Sequence, residues 1–127
     1  MQPNNHVYLE DDIIMAEYIG DQTVESTKQT IDEIYKLALG LLAEHKPARA
    51  LCDMTKIGQR QSVETRRAAV EGLSRATYPF KAAVITSNMV IRYGGNFIVL
   101  VTGKSKSVRF FVQKDKAMSF LKEPSKG

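Results

Sequence analysis

The residues best suited to chemistry lie in one stretch, "RALCDMTKIGQRQSVETRR", residues 49–67. An apolar run reaches a carboxylate at Asp53, crosses a polar loop and restarts behind Ser62 as a basic segment with helical spacing. A carboxylate ending a buried strand stands where open α/β sheets place ligands, and it is equally suited to accept hydrogen bonds from loop amides. Ser62 has the chemistry of a helix N-cap, with Glu64 favourably placed in the first turn. Its hydroxyl is also a phosphate acceptor. Arg66 and Arg67 follow one turn later, able to meet an anion at the helix start or to pair with Glu64 and Glu71. Asp53, Ser62, Arg66 and Arg67 are therefore the candidates for a switch or ligand loop.

Little else in the chain points to catalysis. Cys52 falls inside an apolar run and reads as core rather than nucleophile. His6 sits near the amino terminus and His45 in the last turn of an expected helix, so neither joins Cys52 in a recognisable pattern. No metal-ligand spacing, phosphate-cradling glycine loop or nucleophile elbow is present, so no catalytic residue, metal or cofactor is expected. A single cysteine cannot form an internal disulfide and suits a reducing compartment, the cytoplasm. The first twelve residues are polar and acidic, unlike a secretory signal, and no apolar run nears the roughly 18–20 residues of a spanning helix. The net charge of +4 is mild. Arg60, Arg66, Arg67 and Arg75 could contact nucleic acid, but Glu64 and Glu71 interrupt them and aromatics are not interleaved, which favours a solvated helix face.

The elements that must position these residues follow from periodicity. "HVYLEDD" and "IIMAEYIG" are β-rich runs joined by a tight turn near Glu10 to Asp12. From about Thr23 to His45, Ile31, Ile34, Tyr35, Ala38, Leu41 and Leu42 recur at helical spacing. Asp21, Thr23 or Ser26 can cap that helix, and Pro47 closes it. "ARALCDM" (48–54) is apolar without alternation, as a strand covered on both faces requires. Residues 62–77 form the next helix, with Val63, Val70, Leu73 and Ala69 or Ala76 inward, and "FKAAVITS" (80–87) is a second buried strand. Residues 88–112 fit either a hairpin or a helix followed by a strand; Gly94 and Gly95 weaken a helix, while crossover logic favours one. A short helix spans 114–121. Strands alternating with helices imply one domain with a largely parallel sheet.

This order of elements resembles the STAS-like, or SpoIIAA-like, family of anti-sigma-factor antagonists. "ALCDMTKIGQRQSVETRR" is similar to that family's strand ending in Asp, its loop and its helix. "FKAAVITSNMVIRYGGNFIVLV" resembles the next strand and a helix with an Asn-Phe pair, and "VRFFVQKDKAMSFL" the closing strand and helix. The resemblance covers about residues 7–122. It implies an α/β fold of about five strands in a mixed, mostly parallel sheet flanked by about four helices, and it makes the segment after Ser87 a helix. In the antagonists, the serine at the Ser62 position is phosphorylated by a partner kinase and follows an Asp; here Gln61 precedes it. We therefore expect a structural loop in which Ser62 caps the helix. Other branches of the fold belong to transporters or bind nucleotides or lipids. The leading expectation is a non-enzymatic regulatory module that binds a protein partner. The alternative is a site for a small apolar or amphipathic molecule such as a lipid, since Ile91, Phe97, Ile98 and Leu100 face more directions than one core seam needs. The same apolar excess would serve a homodimer.

Overall fold

The computed structural model describes residues 4–57, 62–87 and 107–123. Strands His6–Glu10 (β1) and Ile13–Gly20 (β2) pair antiparallel in unbroken register from His6–Glu17 to Glu10–Ile13. Their connection is the two-residue turn Asp11-Asp12, with φ of 52° and 62°. Two positive φ values in succession make a type I′ turn, whose twist matches that of the strands. Aspartate tolerates the left-handed region better than most side chains.

Helix Val24–Ala43 (α1) starts on a capping box: Thr23 Oγ1 accepts from the Ser26 amide at 3.0 Å, and Ser26 Oγ accepts from the Thr23 amide at 2.9 Å. Of the three N-cap candidates, Thr23 holds the position. Ile31, Ile34, Ala38 and Leu41 are buried along one stripe. The far end closes as a Schellman motif, with the His45 amide bonded to Leu42 O and the Lys46 amide to Leu41 O. His45 thus lies beyond the helix rather than in its last turn, with φ of 61° in the position usually held by glycine.

The chain continues through Arg49–Ile57 (β3), Val63–Ser74 (α2), Lys81–Ile85 (β4), Val108–Phe111 (β5) and Lys114–Lys122 (α3). The sheet runs β1-β2-β3-β4-β5, parallel everywhere except in the first hairpin. Strands laid down in steady succession send their crossover helices to one side. Accordingly α1 and α2 cover one face, over Ile14, Ala16, Tyr18, Cys52, Met54 and Val84. α3 covers the other through Ala117, Phe120 and Leu121, against Met15, Leu51, Ala83 and Ile85. Every residue of β4 is buried, as a central strand with helices on both faces must be.

Three expectations need correction or limitation. β3 does not stop near Asp53 but runs to Ile57, because β2 goes on pairing with it through Gly20–Ile57 after β4 has ended at Asp53–Ile85. α2 ends at Ser74, short of Thr77, and Val63 at its first turn is 55% exposed rather than inward. The described residues hold three helices, not four; the helix expected after Ser87 lies outside the described residues.

A polar clip that sequence patterns did not reveal ties the hairpin to α1. Asn5 Nδ2 donates to Gln22 Oε1 and to Thr30 Oγ1, both at 2.8 Å, and Asn5 Oδ1 accepts from the Ile19 amide at 2.9 Å and from Gln22 Nε2 at 3.0 Å. One side chain thereby joins the start of β1, the end of β2 and the first turns of α1.

Candidate functional site

Asp53 owes its position to an irregularity in the β2–β3 ladder. Between the pairs Glu17–Asp53 and Ile19–Lys56, β3 holds one residue more than β2. Such an extra residue leaves an amide without a ladder partner. The Asp53 carboxylate takes up that of Thr55 at 2.9 Å and the Thr55 hydroxyl at 2.6 Å, through the same Oδ1. Met54 follows Ala50 and Cys52 onto the α1–α2 side by alternation, and the extra residue brings Ile57 to the same side. Asp53 itself lines a small cavity of about 190 Å³ with Tyr8, Glu10, Glu17 and Lys114, in which Tyr8 donates to Glu17 Oε1 at 3.2 Å.

Ser62 is the N-cap of α2. Its Oγ accepts from the Thr65 amide at 3.0 Å and lies 2.8 Å from the Thr65 hydroxyl, which is buried. Glu64 adds a carboxylate to the first turn, the favourable sign at the positive end of the helix dipole. Asp53 and Ser62 bond to no common partner: the first is satisfied within β3, the second within α2. Loop residues 58–61, which include Arg60 and Gln61, lie outside the described residues.

The basic residues divide by role. Among the described residues, neither Arg66 nor Arg67 has a carboxylate at ion-pair distance, so of their two readings the pairing with Glu64 and Glu71 does not form. Arg67 edges a groove of about 430 Å³ between α1 and α2, with Lys28, Glu64 and Glu71. Arg75 is structural. It bonds Asp32 Oδ1 at 3.0 Å and stacks over the Tyr35 ring with 5.4 Å between its guanidinium carbon and the ring centre. Tyr35 in turn donates its hydroxyl to the Gly72 carbonyl. Gly72 lets the two helices touch, since a Cβ there would sit 2.5 Å from Ile31 Cδ1. With Arg75 committed to helix packing, a continuous cationic row along α2 is not assembled.

The remaining reactive side chains are accounted for by packing. Cys52 is fully buried, and burial pushes its thiol up to about 12, which keeps it un-ionised and a poor nucleophile. Tyr18 is 1% exposed, and its hydroxyl has no hydrogen-bond partner among the described residues. Burial raises the phenol well above its ordinary value, and the neighbouring Cys52 adds to the effect. His6 opens β1 opposite Glu17. Among the described residues, no group of three or more His, Cys, Asp or Glu is arranged to hold a metal ion, and no helix is long and apolar enough to cross a membrane. Tyr93, Gly94, Gly95 and Phe97, like the apolar quartet Ile91, Phe97, Ile98 and Leu100, fall outside the described residues.

A family model described as a domain of unknown function, DUF7793, matches residues 7–125. The chain belongs to that family. No curated protein matches this DUF7793 chain. Among solved structures it is similar to an anti-sigma factor antagonist from Mycobacterium paratuberculosis, with 11% identity over 96% of each chain and a TM-score of 0.66. It is also similar to a DUF3478-family protein with a SpoIIAA-like fold from Shewanella loihica PV-4, at 18% identity over 94% of this chain and 93% of that one, with a TM-score of 0.55. The DUF7793 chain has the SpoIIAA-like fold, in agreement with the resemblance of its segments to that family.

Proposed function

We propose that this domain is a non-enzymatic regulatory module that binds a protein partner through the amino-terminal face of α2. The carrying observation is an exposed apolar residue set among unpaired cations. Val63 stands 55% exposed at the first turn, and Arg66 and Arg67 follow it without carboxylate partners among the described residues. An apolar spot rimmed by guanidinium groups suits a partner with an apolar knob bordered by acid, and Arg is enriched where interfaces bury charge. The likeness in fold to an anti-sigma factor antagonist supports a regulatory role. Lack of a metal-ligand cluster among the described residues, together with the inert Cys52, supports a non-catalytic one. Such a module would work in the cytoplasm, where its thiol stays reduced. A homodimer formed through the same face is the alternative within this reading.

Cross-linking and capture from the native cell test it. A single protein should be retained by the wild type and lost from Arg66→Glu/Arg67→Glu, while exposed Lys116→Glu on α3 changes nothing. Sedimentation separates the dimer from a hetero-partner. Retention by the charge-reversed variant would rule out this face.

A further inference from the structure

The amino-terminal end of the parallel strands holds a second feature, where β3 and β4 begin. Arg49 and Lys81 are the first residues of these strands and are paired in register. Both line a cavity of about 290 Å³, together with Lys122 and Glu123 at the end of α3 and apolar walls from Leu42, Phe80 and Leu121.

Two donors there lack an anionic acceptor. Lys81 is only 8% exposed. Its Nζ donates to the Phe120 carbonyl at 2.7 Å and the Glu123 carbonyl at 2.9 Å, which leaves one of the three ammonium hydrogens over. It also lies 4.6 Å from the centre of the Phe120 ring. Arg49 Nε is buried and has no hydrogen-bond partner among the described residues. Among the described residues, no carboxylate stands at ion-pair distance from either side chain. Burial pushes the Lys81 ammonium below its ordinary value; Glu123 opposes this, and Arg109 and Arg49 reinforce it. Three cations against one carboxylate, in a half-apolar recess, form an arrangement that burial alone penalises. The surplus of positive charge along the cavity, with one Lys81 hydrogen uncommitted, calls for an anion.

We propose that this cavity binds a small amphiphilic anion, its carboxylate or phosphate head on Arg49 and Lys81 and its short apolar body against Leu42, Phe80 and Leu121. The guanidinium supplies a planar fork for either head group, and Lys81 a point charge beside it. The volume is near the small end of ligand pockets, roughly 300–1,000 Å³, which limits the apolar body to a short chain or one ring. The site lies at the amino-terminal end of the parallel strands, away from Ser62 and Val63, so it stands or falls independently of the α2 face.

Backbone-amide NMR titrations of the full chain with octanoate, octyl phosphate, octanol and inorganic phosphate test the proposal. Octanoate or octyl phosphate should shift the amides of Arg49, Lys81, Lys122 and Glu123, with octanol and inorganic phosphate much weaker. A preference between the two amphiphiles identifies the head group. Arg49→Met should weaken binding by about tenfold, the usual scale for losing a charge-assisted contact, without lowering the unfolding midpoint. Lys122→Gln, at an exposed position that cannot threaten the fold, should weaken it by a smaller factor. No shift at these amides with millimolar amphiphile would overturn the proposal. So would equal binding of octanol or of inorganic phosphate, or unchanged affinity in both variants.

Discussion

Ser62 carries two chemistries, and substitutions separate them. As an N-cap it satisfies the Thr65 amide. Ser62→Ala should therefore cost about 0.5–2 kcal/mol in chemical denaturation, whereas Ser62→Asp, itself a good cap, should be nearly neutral. A phosphate at Ser62 would add about −1.5 to −2 charge near Arg66 and Arg67, and so would remake the proposed partner face without breaking the fold. Intact mass of protein from its own host distinguishes the two roles: an unmodified chain is expected, and phosphate mapped to Ser62 would make it a switch. His45 offers a sharper test of backbone conformation. It is held at φ 61° by the two amide bonds of its Schellman turn. Because a side chain in that region is strained while glycine is not, His45→Gly should gain about 0.5–1 kcal/mol, after the entropy glycine adds to the unfolded chain. A lower unfolding midpoint in that variant would show that the imidazole makes a compensating contact.

Elements are where the sequence was most legible, and also where it misled. The 3–4 spacing of Ile31, Ile34, Ala38 and Leu41 marked α1 because a helix burying one stripe leaves no other pattern. The unalternating runs at 50–52 and 82–85 marked strands covered on both faces for the same kind of reason. What failed was any position decided by a distant partner. Thr55 and Lys56 look like loop residues, yet β2 holds them in β3, and no local signal announces a bulge. Nothing local in the sequence singles out Lys81, because the carbonyls it meets belong to a helix some forty positions on. Of the candidate site, the roles of Asp53 and Ser62 as hydrogen-bond acceptors could be read from residue type, whereas the missing partners of Arg66 and Arg67 could not. Asn5 was likewise invisible, since a lone asparagine before a strand has no periodicity. It is nonetheless the joint of three elements, so Asn5→Ala should cost about 1–3 kcal/mol by stranding the half-buried groups it serves. The exposed Gln29→Ala, on α1, should change stability little; equal effects of the two would remove the clip's importance.

At the scale of the whole molecule, the buried acids set an alkaline limit. Cys52 is pushed from 9.0 to about 12 and Tyr35 from 10.0 to about 12, each chiefly by burial, and burial also raises Tyr18 well above its ordinary value. A thiol or phenol whose folded value is raised stays protonated in the native state while the unfolded chain ionises. The folded state then binds more protons, and stability falls as pH rises from the unfolded value towards the folded one. Lys81, shifted down, opposes this: the unfolded chain holds its proton longer, and that contribution to stability grows as pH nears 10.5. Denaturant titrations should show stability falling from about pH 9, with Cys52 contributing at most about 1.4 kcal/mol per pH unit, and more steeply above about pH 10 as the phenols join. Cys52→Ala should lose the onset near pH 9 and keep the steeper part; a flat profile to pH 11 would contradict this assignment. A different consequence lies in the strand order β1-β2-β3-β4-β5, in which every strand is a neighbour of the one made just before it. Among the described strands, none has to wait for a later one to be inserted between it and its predecessor. During synthesis the hairpin can close first, and each later strand leaves the ribosome to find its docking edge already built. The growing sheet thus keeps its newest edge open only until the next strand arrives, which shortens the time that Ala50–Cys52 and Ala82–Ile85 are exposed to other nascent chains.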